Sequence, residues 1–163
     1  LRALTYRAVG EKLWRPILRD DEVLTKPKYT WETESVPEGR YEVKLVADDS
    51  PSNDSRDVLA DERISVPVLI DNHQPQVIGL AFANGTIRGK AVDGFSAIAA
   101  LEMSVDGESW WPLRSDDALF DEREESFATP LPAHLAKGPH AVAVRAYDRA
   151  GNMGAAELHI ETK

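Results

Sequence analysis

The chain repeats itself, and a repeat constrains a fold more tightly than any composition does. Residues 39–49 read Gly39-Arg40-Tyr41-Glu42-Val43-Lys44-Leu45-Val46-Ala47-Asp48-Asp49, and Asn53 follows. Residues 138–148 read Gly138-Pro139-His140-Ala141-Val142-Ala143-Val144-Arg145-Ala146-Tyr147-Asp148, and Asn152 follows; the offset is 99 throughout. Trp14-Arg15-Pro16-Ile17 parallels Trp110-Trp111-Pro112-Leu113 at an offset of 96, and Leu4, Tyr6, Ala8 and Gly10 parallel Leu101, Met103, Val105 and Gly107 at 97. Short loop insertions absorb such drift. Three ordered blocks at one spacing mark two homologous units, read as residues 1–72 and 73–163.

The units are unequal. The second has about 25 residues ahead of its Leu101 block, whereas almost nothing precedes Leu4. The first unit is therefore expected to lack its opening strands. The chain opens on Leu1 and reads as a fragment or a processed product. A sandwich without its first strands leaves apolar faces and edge backbone groups unpaired, so self-association through those edges, or cover by a neighbouring domain, is expected.

Apolar and polar residues alternate as in half-buried strands. Tyr41, Val43, Leu45 and Ala47 share one face, as do His140, Val142, Val144 and Ala146. Leu101, Met103 and Val105 form another strand, closed by Asp106-Gly107. Further strands are predicted at 5–9, 13–18, 29–32, 62–70, 76–83, 86–92, 125–129 and 155–161. Asn84-Gly85 predicts a tight hairpin, and Pro67 predicts an edge or a bulge. Residues 97–101 are too short for a helix alone, and 117–125 has room for one helical turn. This spacing predicts an all-β chain of β-sandwich units, joined by a short Pro75-containing linker at 70–76.

The chain has 163 residues, 28 acidic against 19 basic side chains and a net charge of −9. That balance argues against a nucleic-acid partner, which needs a basic face. There is no cysteine, which excludes disulfides and thiolate chemistry. No apolar run approaches a membrane span of about 20 residues, so no membrane insertion is expected.

With these residues in place, the run from Tyr29 through Trp31, Pro37, Gly39 and Tyr41 to Asn53 resembles fibronectin type III-like and other immunoglobulin-like modules of bacterial secreted or surface proteins. Residues 65–75, with Asp71-Asn72 and Pro75, are similar to the junction between such modules. His140 to Asn152, ending Asp148-Arg149-Ala150-Gly151-Asn152, is similar to their penultimate strand and last turn. The resemblance implies two tandem immunoglobulin-like β-sandwiches, an extracytoplasmic location and no shared catalytic residues.

Four acidic clusters stand out: Asp20-Asp21-Glu22, Asp48-Asp49 with Asn53-Asp54, Asp71-Asn72, and Asp116-Asp117 with Asp121-Glu122. Calcium takes 6–8 oxygen ligands, and Asp71, Asn72, Asp49, Asn53, Asp148 and Asn152 are the candidates; calcium at Asp71 would stiffen the junction. No other cofactor is expected. The competing reading is that Asp and Asn bond their own backbone in turns, and the duplication of Asp49/Asn53 as Asp148/Asn152 favours it. Neighbours on a strand face opposite sides, so one of Trp110 and Trp111 points outward. The match of Trp14 to Trp110 assigns Trp110 to the core and Trp111 to the surface as a candidate sugar-binding residue; the burial habit of large aromatics favours packing instead. His73, His134, His140 and His159 stand singly, and no nucleophile elbow, phosphate loop or zinc motif is present.

The function expected is a non-catalytic structural spacer or protein-interaction module of a larger extracytoplasmic bacterial protein, with that protein's other domains as partners. The alternative is a carbohydrate-binding accessory module using Trp111. A third reading is an enzyme completed by a part outside the chain.

Overall fold

A computed structural model describes residues 3–19, 22, 24, 28–50, 52–53 and 56–163. Among them the fold is all-β, with antiparallel sheets and no helix. The chain divides into two compact units, Leu1–Ile70 and Asp71–Lys163.

Unit 2 is a β-sandwich. One sheet holds β6 (Gln76–Ala83), β7 (Thr86–Val92) and β10 (Glu124–Pro130) in the order β10-β7-β6. The other holds β8 (Ile98–Val105), β9 (Trp111–Pro112), β11 (Gly138–Asp148) and β12 (Met153–Thr162) in the order β12-β11-β8-β9. Asn84-Gly85 joins β6 to β7 with positive φ at both residues, the backbone a two-residue hairpin requires. Val77, Ile87, Ala91 and Phe127 of the first sheet meet Leu101, Met103, Val105, Val142, Val144 and Ala146 of the second in one core. The alternation read from β8 and β11 thus becomes the inner face of a sandwich.

The described residues of unit 1 form one sheet: β1 (Ala3–Ala8), β2 (Arg15–Pro16), β3 (Gly39–Asp48), β4 (Ala60–Ile64) and β5 (Val68–Ile70). Its order is β2-β1-β3-β4, and β5 also pairs with β3. This is the β9-β8-β11-β12 sheet of unit 2 over again. Counterparts of β6 and β7 are not among the described residues of unit 1. A small core of Val36, Tyr41 and Ile70 forms under Tyr6, Ala8 and Trp31.

Several expectations change. Residues 29–32 form no strand: their counterpart β10 is held by β7, and no such partner lies among the described residues of unit 1. Trp31 instead packs against Tyr6, ring centroids 4.7 Å apart and planes tilted by 47°. The strand expected at 62–70 is two, β4 and β5, broken around Pro67 and both paired with β3. The strand expected at 13–18 shrinks to Arg15–Pro16. Residues 97–101 lie largely in β8, and 117–125 holds turns, not a helical turn. The expected linker 70–76 belongs to unit 2 from Asp71 onward, where Asp71 and Pro75 are buried.

The drift in repeat offset is a change of register. Leu4 lies opposite Leu45. Its counterpart Leu101 lies opposite Ala146, two residues beyond Val144, the counterpart of Leu45. A two-residue slip returns every side chain to its own face, so both registers keep the same inner face.

Candidate functional site

Unit 2 gathers three carboxylates from distant segments. Asp71 opens the unit, Asp93 follows β7 and Asp148 ends β11. One oxygen of each lies within 4.8 Å of the other two. Each side chain is fixed by a turn of its own. Asp71 Oδ1 accepts from the His73 N–H at 3.0 Å. Asp93 Oδ1 accepts from the N–H groups of Phe95 and Ser96, both at 2.8 Å. Asp148 Oδ1 accepts from the Asn152 N–H, and Asp148 Oδ2 from Asn152 Nδ2, both at 2.8 Å. Asn152 Nδ2 also donates to the Asp71 carbonyl at 3.0 Å, which ties the start of the unit to its last turn. The second oxygens of Asp71 and Asp93 are shut off from solvent without a donor.

Of the residues singled out as cation ligands, Asp71 and Asp148 join this cluster and Asn152 braces it. Asp93 was missed, because its nearest signal is a lone Asp-Gly after a strand. Asp49 and Asn53 stand apart in unit 1. Asp49 Oδ1 accepts from the Leu59 N–H at 2.8 Å, and Asn53 is exposed. Asn72 is half-buried and supplies none of the three clustered oxygens. Asp20, Asp21 and Asp54 lie outside the described residues. In the remaining acidic cluster, Asp117 Oδ1 accepts from Leu119 N–H and Ser115 Oγ, and these bonds hold its carboxyl below the usual carboxylate range. Buried Glu125 accepts from the N–H groups of Asp121 and Glu122 at 3.0 Å. These acids build turns.

The tryptophan assignment is reversed. Trp111 lies opposite Met103, which is fully buried, and opposed residues share a face. Trp111 is therefore half-buried against the core. Trp110 takes the outer face, 38% exposed, with the Arg145 guanidinium 4.1 Å from its ring centroid. Arg145 also pairs with Glu102 at 2.6 Å. Trp14, the counterpart of Trp110, is likewise covered by cations: Arg7 at 4.4 Å and Lys44 at 4.7 Å. The sequence carried the match of Trp14 to Trp110 but not the β8–β9 register that turns Trp110 outward.

His140 is nearly covered. Its Nδ1 meets Asp106 Oδ2 at 2.7 Å and its Nε2 the Ala136 carbonyl at 2.8 Å. The bond to Asp106, then that to Ala136, raises its pKa above the ordinary histidine value, and the same bond to His140 lowers that of Asp106.

No protein-family model and no curated protein sequence matches the chain.

Proposed function

We propose that the chain is a non-catalytic structural and protein-interaction module of a larger extracytoplasmic bacterial protein, built from immunoglobulin-like units. The observation that carries this reading is the inner face of the unit 1 sheet. In unit 2 the equivalent face is sealed by the second sheet, and Val144 is 0% exposed. Its counterpart Leu45 is 39% exposed, and Val68 on the same face is 38% exposed. Such a face is a docking surface for another apolar sheet. The edges serve less well: β4 carries Asp61, Glu62 and Arg63, and charge on an edge blocks strand addition. Kinship with immunoglobulin-like modules draws support from Tyr41, whose hydroxyl donates to the Pro37 carbonyl at 2.6 Å. A tyrosine early in a strand reaching back a few residues recurs in such sandwiches as the tyrosine corner.

Apart from the rest of its parent protein, the chain is expected to pair with a second copy through this face. Sedimentation velocity across a concentration series tests it. Reversible association that Leu45→Glu abolishes supports the reading. A chain that stays monomeric up to about 1 mM, where even weak pairs form, counts against it.

One observation favours a second reading, a carbohydrate-binding module. Trp111 lines an open cleft of about 570 Å³ with Asp106, Glu108, His134 and His140, and a ring beside polar groups suits a sugar face. Oligosaccharides that shift the Trp111 indole resonance, and whose heat of binding is lost in Trp111→Ala, would favour it.

A further inference from the structure

Turn formation accounts for one oxygen of Asp71 and one of Asp93, and leaves the other oxygen of each unexplained. Asp71 is only 7% exposed, yet its Oδ2 meets no donor, and neither does Asp93 Oδ2. A buried carboxylate oxygen without a partner is costly, and a third carboxylate, that of buried Asp148, stands beside both. Among the described residues no Lys, Arg or His pairs with any of the three. The basic side chains near them in sequence meet other groups: Arg149 Nη2 donates to the Phe120 carbonyl, Lys90 pairs with Glu124, and the His73 ring lies against that of Phe95. Three converging acids that no described residue neutralises call for a positive charge at their centre.

We propose that unit 2 binds one calcium ion between Asp71, Asp93 and Asp148. The ligand set is all oxygen, without the imidazole or thiolate that zinc and copper favour. Calcium–oxygen bonds run about 2.4 Å, so two oxygens on one ion stand at most about 4.8 Å apart. The oxygens here already lie within 4.8 Å of one another. Magnesium demands a strict octahedron, keeps several waters and is usually held by one or two carboxylates, fewer than the three gathered here. Water or the second carboxylate oxygens complete the calcium shell. The ion fastens Asp71 to the β7–β8 connection and to the turn after β11, the same turn that Asn152 ties to the Asp71 carbonyl. Three protein carboxylates on separate segments suit the weak range of extracellular modules, with Kd about 0.1–1 mM.

The experiment is a calorimetric titration of the whole chain with calcium chloride, joined to thermal unfolding in calcium and in chelator. One site is expected. At twenty times Kd, calcium should raise the folded-to-unfolded ratio roughly 20-fold. Asp93→Asn should abolish the response and, in chelator, fold at least as stably as the parent, since it relieves like-charge crowding. On the unaltered chain, calcium should shift the amide resonances of Asp71, Asp93, Asp148 and Asn152 ahead of those of Asp116, Asp117 and Asp121. The proposal is overturned by a chain that shows neither heat nor stabilisation at about 10 mM calcium, beyond the weak-site range. It is also overturned if shifts are confined to the exposed acidic loops, if Asp93→Asn keeps the response, or if magnesium binds equally well.

Discussion

His140 stands where Tyr41 stands in unit 1, and each side chain bonds the carbonyl four residues before it. Tyr41 Oη donates to Pro37 O, and His140 Nε2 meets Ala136 O. The histidine adds a second bond, to Asp106. Both ring nitrogens thus face acceptors, an arrangement that only the imidazolium satisfies fully.

That difference predicts a pH dependence. The folded pKa of His140 is raised, so its contribution is complete below about 6.5, the unfolded value, and is lost as pH rises through the folded value. The contribution of Asp106, whose folded pKa is lowered, is complete above about 3.9 and is lost as pH falls through its folded value. Unfolding midpoints in denaturant should therefore decline as pH rises above about 6.5. His140→Tyr, which substitutes the unit 1 solution, should flatten that decline; an unchanged slope would show that other groups set it.

Arg145 bridges Glu102 and the exposed ring of Trp110. Arg145→Met keeps most of the aliphatic stem and removes both interactions. The expected loss is about 1 kcal/mol, the sum of a partly exposed ion pair and a cation–π contact. Acrylamide should quench Trp110 more strongly in the variant. Equal quenching would mean that the guanidinium does not cover the ring.

At Gly154 of β12 the backbone of Pro75 comes so close that a Cβ would stand 1.7 Å from the Pro75 carbonyl oxygen. Backbone must move to admit it. Gly154→Ala should destabilise the chain by about 3 kcal/mol or more, and denaturant unfolding reads it. A loss under about 1 kcal/mol, typical of a tolerated surface change, would contradict this contact.

The repeat makes a controlled pair of Val144 and Leu45. Val144→Ala removes methyl groups from a sealed core and should cost about 2 kcal/mol. Leu45→Ala, on the open face, should cost about 0.5 kcal/mol or less in the monomer. Losses of similar size would mean that the two faces are equally covered.

Much of this was legible in the sequence because it is local. Asn84-Gly85 and the alternation of β8 and β11 each need only neighbouring residues, and the duplicated blocks foretold one sheet built twice. What failed depends on partners far along the chain. Residues 29–32 look like a strand, but a strand needs its neighbour. Trp111 faces inward only because β9 sets it opposite Met103. Asp93 joins Asp71 and Asp148 only through the fold, from segments 22 and 77 residues removed in sequence from Asp71.

The central claim is that unit 1 bears, uncovered, the face that unit 2 seals. Methyl-resolved NMR with a soluble paramagnetic probe tests it most directly, at a concentration where the chain sediments as a monomer. The account predicts strong broadening of the Leu45 methyl signals while those of Val144 stay sharp. Leu45 methyls protected as fully as those of Val144 would contradict it.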